Sequence, residues 1–109
     1  MEIINLTPHT VTYIHDDGTK EEFPSQGVAR AAVQTEELGI RDGYRITKST
    51  FGAPVNLPEP REGVFLIVSL ATANAAVQYG RTTDDLLLTN DAVRDSSGAI
   101  VGCKAFAVV

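Results

Sequence analysis

Val64-Phe65-Leu66-Ile67-Val68 is the longest unbroken run of large apolar residues in the chain. Gly63 precedes it and Ser69 follows it. A short apolar run between such breaks predicts a strand covered on both faces, so the rest of the chain must wrap around it. Ser69 predicts a helix start, because a serine hydroxyl accepts from the free amides of a first helical turn. Leu70, Ala73, Ala76 and Val77 share one helical face, and Gly80 falls where a left-handed residue ends a helix. A strand feeding a helix N-terminus points amides outward, a geometry suited to anions.

Upstream, residues 2–6 predict a short strand. Thr7-Pro8-His9 interrupts it, because proline has no amide to donate and forces its predecessor to be extended. Residues 10–15 resume as a strand rich in β-branched and aromatic side chains. Asp16-Asp17-Gly18 is a hairpin turn signal, and residues 19–23 return from it. Lys20, Glu21 and Glu22 give that return strand the charge of an edge. Residues 24–27 predict a loop, 28–34 a strand, 35–40 an irregular polar stretch, 41–43 a turn and 44–50 a further strand. Residues 51–63 hold Pro54, Pro58 and Pro60 and predict an ordered loop. Residues 81–90 predict a surface connection around Leu86-Leu87-Leu88. The tail has a second hairpin signature around Ser96-Ser97-Gly98. Gly102 in its last segment marks a bulge or a close backbone approach. The expected fold class is α+β in a single domain over residues 1–109. It is a mostly antiparallel sheet or small barrel of about six to eight strands, with one main helix after the central strand.

Charge and composition narrow the function classes. Nine Lys and Arg against 14 Asp and Glu give a net charge of −5. General nucleic-acid binding needs a basic face and is not expected. Cys103 is the single cysteine, which excludes an internal disulfide framework and reads as a small core residue. No apolar run approaches the roughly 20 residues of a membrane-spanning helix. Residues 1–5 lack the basic start of a signal peptide, so a cytoplasmic protein without a membrane partner is expected. His9 and His15 have no metal-ligand spacing, and neither a metal nor a cofactor is expected. Ser69 lacks the flanking glycines of a hydrolase elbow. Anion capture remains. Arginines, among them Arg30, Arg45, Arg61, Arg81 and Arg94, outnumber Lys20, Lys48 and Lys104, and arginine suits bidentate capture of phosphate or carboxylate. Arg61 and Arg81 bracket the central strand and helix. Arg30 follows small residues in a segment that reads as half-buried, where a guanidinium needs a partner.

Asn5-Leu6-Thr7-Pro8-His9-Thr10-Val11 is distinctive. So are Pro24-Ser25-Gln26-Gly27-Val28-Ala29-Arg30, Leu57-Pro58-Glu59-Pro60-Arg61-Glu62-Gly63, Ile67-Val68-Ser69 and the stretch from Arg94 to Gly102. With these motifs the chain resembles a family of small phage and bacterial proteins, often actinobacterial, that open with an I-N-L-T-P-H segment. The resemblance spans nearly the whole chain and implies a stand-alone accessory protein. Asn5, Thr7, His9, Ser25, Arg30, Arg61, Ser69 and Arg81 are polar groups beside strand ends and turns, the profile of a small-ligand pocket. The expected function is non-enzymatic binding of a small phosphorylated or nucleotide-like ligand by a homo-oligomer. In a phage, the ligand would be a host immune signal that the protein sequesters. Two alternatives stand beside it: a small hydrolase or lyase using His9 as acid or base, and a structural or protein-interaction accessory protein.

Overall fold

The apolar run becomes a strand because its side chains have no other way to leave water. In the computed structural model, which describes residues 1–109, Leu66, Ile67 and Val68 are buried and Val64 and Phe65 are half-buried. The elements in chain order are β1 (Glu2–Asn5), β2 (Val11–Ile14), β3 (Lys20–Phe23), β4 (Arg30–Arg41), β5 (Tyr44–Val55), β6 (Val64–Ile67), α1 (Leu70–Gln78), β7 (Leu86–Arg94) and β8 (Ile100–Ala107). Strands predominate, with one short helix, so the fold is α+β. Leu86-Leu87-Leu88 starts β7 and is not a surface connection: Leu86 and Leu87 are buried beside β6.

Six strands form one sheet in the order β1-β6-β7-β8-β2-β3. The β7–β8 and β2–β3 ladders are antiparallel. Short parallel ladders join β1 to β6, β6 to β7 and β8 to β2. The two ends of the sheet curl toward each other and meet where Asn5, closing β1, forms a parallel bridge with Ser25, just beyond β3. A nearly closed small barrel results. Its core joins Leu6, Ala29, Leu66, Val68 and Leu86 to Ala73 and Ala76 of the helix. Gly102 sits where β8 passes close to β2. A Cβ there would lie 2.9 Å from Ile14 Cδ1 and 3.0 Å from the Thr12 carbonyl oxygen.

Ser69 caps α1 as expected, and Gly80 ends it with φ of 79°. The buried face is set by small residues, Thr72, Ala73, Ala75 and Ala76, which lets the helix backbone approach the sheets closely. Leu70 and Val77 consequently lie outside that face and are exposed. The helix also packs against β4 and β5.

β4 and β5 form a separate two-stranded sheet that leaves the barrel as a long arm. Asp42 and Gly43, with φ of 53° and 84°, make the left-handed turn a tight hairpin demands. The stretch at 35–40, expected to be irregular, and the start of the expected loop at 51–55 are both strand. Alternation misleads here because both ribbon faces meet water, so neither needs to be apolar. Pro54 is tolerated opposite Ala31, next to the bulge that separates the root from the projecting part. The radius of gyration is 16.9 Å. A compact chain of this length would have about 13 Å.

Candidate functional site

Asn5 is the most buried of the proposed ligand-binding residues, with no exposed surface. Its Nδ2 donates to the carbonyls of His9 at 2.7 Å and Phe23 at 2.8 Å. Its Oδ1 accepts from the Thr7 amide at 2.9 Å and the Thr7 hydroxyl at 2.7 Å. The Asn5 carbonyl accepts from the Gln26 amide, and the next carbonyl, of Leu6, accepts from Ala29. Asn5 and Thr7 therefore clip β1 to the end of β3 and shape the turn around Pro8. The structure uses these groups on the backbone of the protein itself. Ser25 lies at the same junction, exposed, with its hydroxyl 3.1 Å from the Gly27 carbonyl.

Arg81 is similarly engaged. Its two terminal nitrogens each lie 2.9 Å from an oxygen of Asp85, and they also donate to the carbonyls of Thr82 and Pro58 at 2.7 Å. Both side chains of the pair are largely buried, and Arg81 Nε is buried without a partner. This fork pins the proline-rich segment to the connection between α1 and β7. Asp85 is the partner that sequence reasoning missed, although a spacing of four from Arg81 was visible. Ser69 is occupied as the helix cap, with its hydroxyl 3.2 Å from the Thr72 amide and 2.9 Å from Thr72 Oγ1. Thr72 in turn donates to the Ala29 carbonyl at 3.1 Å, tying the helix start to the strand entering the arm.

Arg30, Arg61 and His9 are exposed, and no side-chain hydrogen bond or ion pair holds them. Arg30 was expected to be half-buried; instead its neighbours Ala29 and Ala31 turn inward, and alternation sends Arg30 out. Thus Asn5, Thr7 and Ser25 gather at the barrel seam, whereas Ser69 and Arg81 serve the two ends of α1. A cleft of about 380 Å³ lies elsewhere, between β2 and the β7–β8 hairpin. Thr10, Thr12, Asn90, Asp91 and Cys103 line it, and none of the eight candidates does. A recess of about 310 Å³ at the C-terminal end of α1 includes Arg81, with Glu59, Tyr79 and Pro54.

The shifted titrating groups have local structural causes. Hydrogen bonds from the Thr19 hydroxyl and amide hold Asp17 below the ordinary carboxylate range. Those from the Ser97 hydroxyl and the Ala99 amide do the same for Asp95. Both aspartates close hairpin turns. Glu37 raises Arg45 on the arm, and burial pushes the Cys103 thiol up. Together these features define a small α+β protein with a nearly closed barrel, polar motif residues that serve the fold, and one projecting arm. Comparison with family models, curated proteins and solved structures gives no match.

Proposed function

We propose that this protein acts as a protein-interaction and assembly module, the accessory-protein reading of its sequence, with the β4–β5 arm as its recognition element. One observation carries the reading: the arm holds large apolar side chains out in water. Ile40 is 75% exposed, Tyr44 72% and Phe51 58%. A lone two-stranded ribbon buries too little to be stable by itself, so an arm of this length is expected to find a surface to lie on. Chemical cross-linking in cells expressing the chain tests this. Wild type should give adducts through arm residues, and Phe51→Asp, at an exposed position, should remove them while the purified variant melts as wild type does. Identical adducts from both proteins would sink the reading.

The ligand-capture reading retains support from a different observation. Arg30 and Arg61 are exposed cations that no acid of the chain engages. They are the two candidates still free to hold the phosphate of a nucleotide-like ligand, as a phage protein sequestering a host immune signal would require. Calorimetry with a nucleotide panel tests it. Arg30→Ala and Arg61→Ala should each weaken binding about ten- to a hundredfold, the worth of a charge-assisted hydrogen bond. His9→Ala should change affinity alone in a binder, and should lower turnover by roughly 10²–10⁴-fold in an enzyme that uses it as acid or base. No heat with any nucleotide removes both forms of this reading.

A further inference from the structure

We infer that the arm's partner is a second copy of this chain, with the tip of each arm docked on the outer face of the other copy's helix α1; this rests on the arm being an interaction element. The exposed surface is larger than a folded chain of this mass should show. A folded monomer of 11.7 kDa has about 5,900 Å² of accessible surface. This chain has 7314 Å². The excess is about 1,400 Å² per copy, or about 2,800 Å² for a pair, within the range of permanent homodimer interfaces. Burying the arm against an equal partner would return the surface to that of an ordinary folded protein.

The arm needs an apolar surface, and the body offers one. The arm projects roughly 25 Å beyond Val33 and Phe51, at about 3.3 Å per residue. Its tip carries Leu38, Ile40 and Tyr44, all exposed. The body carries its own unpartnered apolar stripe, Leu70 and Val77, on the helix face turned away from the core. One two-fold axis would satisfy both deficits at once, because an isologous contact repeats each pairing reciprocally. The last strand, β8, lies between β7 and β2 in the sheet and offers no free edge for such a contact.

Arm and body also differ in charge. Arg30, Arg41, Arg45 and Lys48 on the arm outnumber Glu36, Glu37 and Asp42 by one, whereas the rest of the chain holds a net charge of −6. An arm slightly positive and a body strongly negative attract when exchanged between copies. That complementarity favours arm-on-body over arm-on-arm contact.

The test is the mass of the full chain in solution, by light scattering or sedimentation over about 1–100 µM, read against the 11.7 kDa of one copy. Wild type should be dimeric. Ile40→Asp with Tyr44→Asp should raise the dissociation constant at least tenfold, since buried aromatic and aliphatic anchors dominate interfaces. Val77→Asp should do the same from the other side, so the inference does not hang on one variant. All three positions are exposed, so the variants should fold, which circular dichroism would check. The double variant Ile40→Cys with Val77→Cys should form an intermolecular disulfide between its two new thiols under mild oxidation. A wild-type chain that is monomeric throughout overturns the inference. If its arm adducts to another protein in cells still vanish with Phe51→Asp, the interaction reading survives and the partner is of a different kind. A dimer untouched by the arm variants overturns the inference and leaves the interaction reading to the cross-linking experiment. A dimer whose double-cysteine variant yields no intermolecular disulfide between positions 40 and 77 overturns the docking of tip on helix.

Discussion

Asn5 illustrates how one side chain can hold a fold shut. A carboxamide has two donors and an acceptor with two lone pairs, and all of this capacity is spent on backbone or on Thr7. Asn5→Ala should therefore cost about 2–4 kcal/mol, because the carbonyls of His9 and Phe23 lose a donor at a site with little room for water. The urea midpoint should fall with an unchanged slope, and an unchanged midpoint would mean that water replaces the amide. The Arg81–Asp85 fork makes a different demand. Removing one partner leaves the other buried and unpaired, so Arg81→Ala and Asp85→Ala should each cost about 3–5 kcal/mol. Arg81→Met combined with Asp85→Leu should cost much less than either, since it removes both buried charges together. A double-mutant cycle in thermal unfolding measures the coupling, and additive single effects would refute it. These two sites also mark a limit of sequence reading. Asn5, Thr7 and Arg81 stand out by type and position, but a buried polar group engaging its own backbone has the same letters as one awaiting a ligand.

Turns and close approaches were among the most legible elements. Asp17 and Asp95 occupy matching places in two hairpins, each accepting from a hydroxyl and an amide two residues on. A carboxylate held below its unfolded range stabilises the fold above that range, and the contribution fades as pH falls through the folded value. Stability should thus decline at the acid end of the carboxylate range. Asp95→Ala should be less stable at neutral pH and show a shallower acid decline than wild type; parallel pH profiles of the melting temperature would refute this. Gly102 was legible as a close approach, and the β2–β8 crossing explains it. Gly102→Ala would push a methyl group into Ile14 and the Thr12 carbonyl, and should cost about 1–3 kcal/mol in urea unfolding. An unchanged midpoint would show that β2 gives way freely. The central strand and the capped helix were equally readable, because an apolar run, a serine and a glycine act locally. The arm was only half readable. Its turn at Asp42-Gly43 and its flanking strands stood out, but a ribbon wet on both faces carries no alternation to extend them. The parallel pairing of β6 with β1 and β7 left no trace either, since it joins segments far apart in sequence.

At the scale of the molecule, the barrel and the arm should differ sharply in stability. The barrel buries Ile67, Leu86, Ala73 and Ala76 completely. The arm beyond Val33 buries nothing fully, so apart from side-chain pairs such as Glu37–Arg45 only its own ladder holds it in an isolated copy. A region with few buried contacts opens locally at a small fraction of the global unfolding free energy. Hydrogen exchange on dilute protein should therefore show amides of residues 34–49 exchanging at least about a hundredfold faster than those of β6 and β7. Raising the protein concentration should slow exchange in the arm and on the outer face of α1 together, while β6 is unaffected. Arm amides protected as strongly as β6 at the lowest concentration would mean that the ribbon is stable alone, and that the need for a partner has been overstated. Protection of the arm without protection of α1 would place its partner surface elsewhere. The two segments should move together because the same contact covers both.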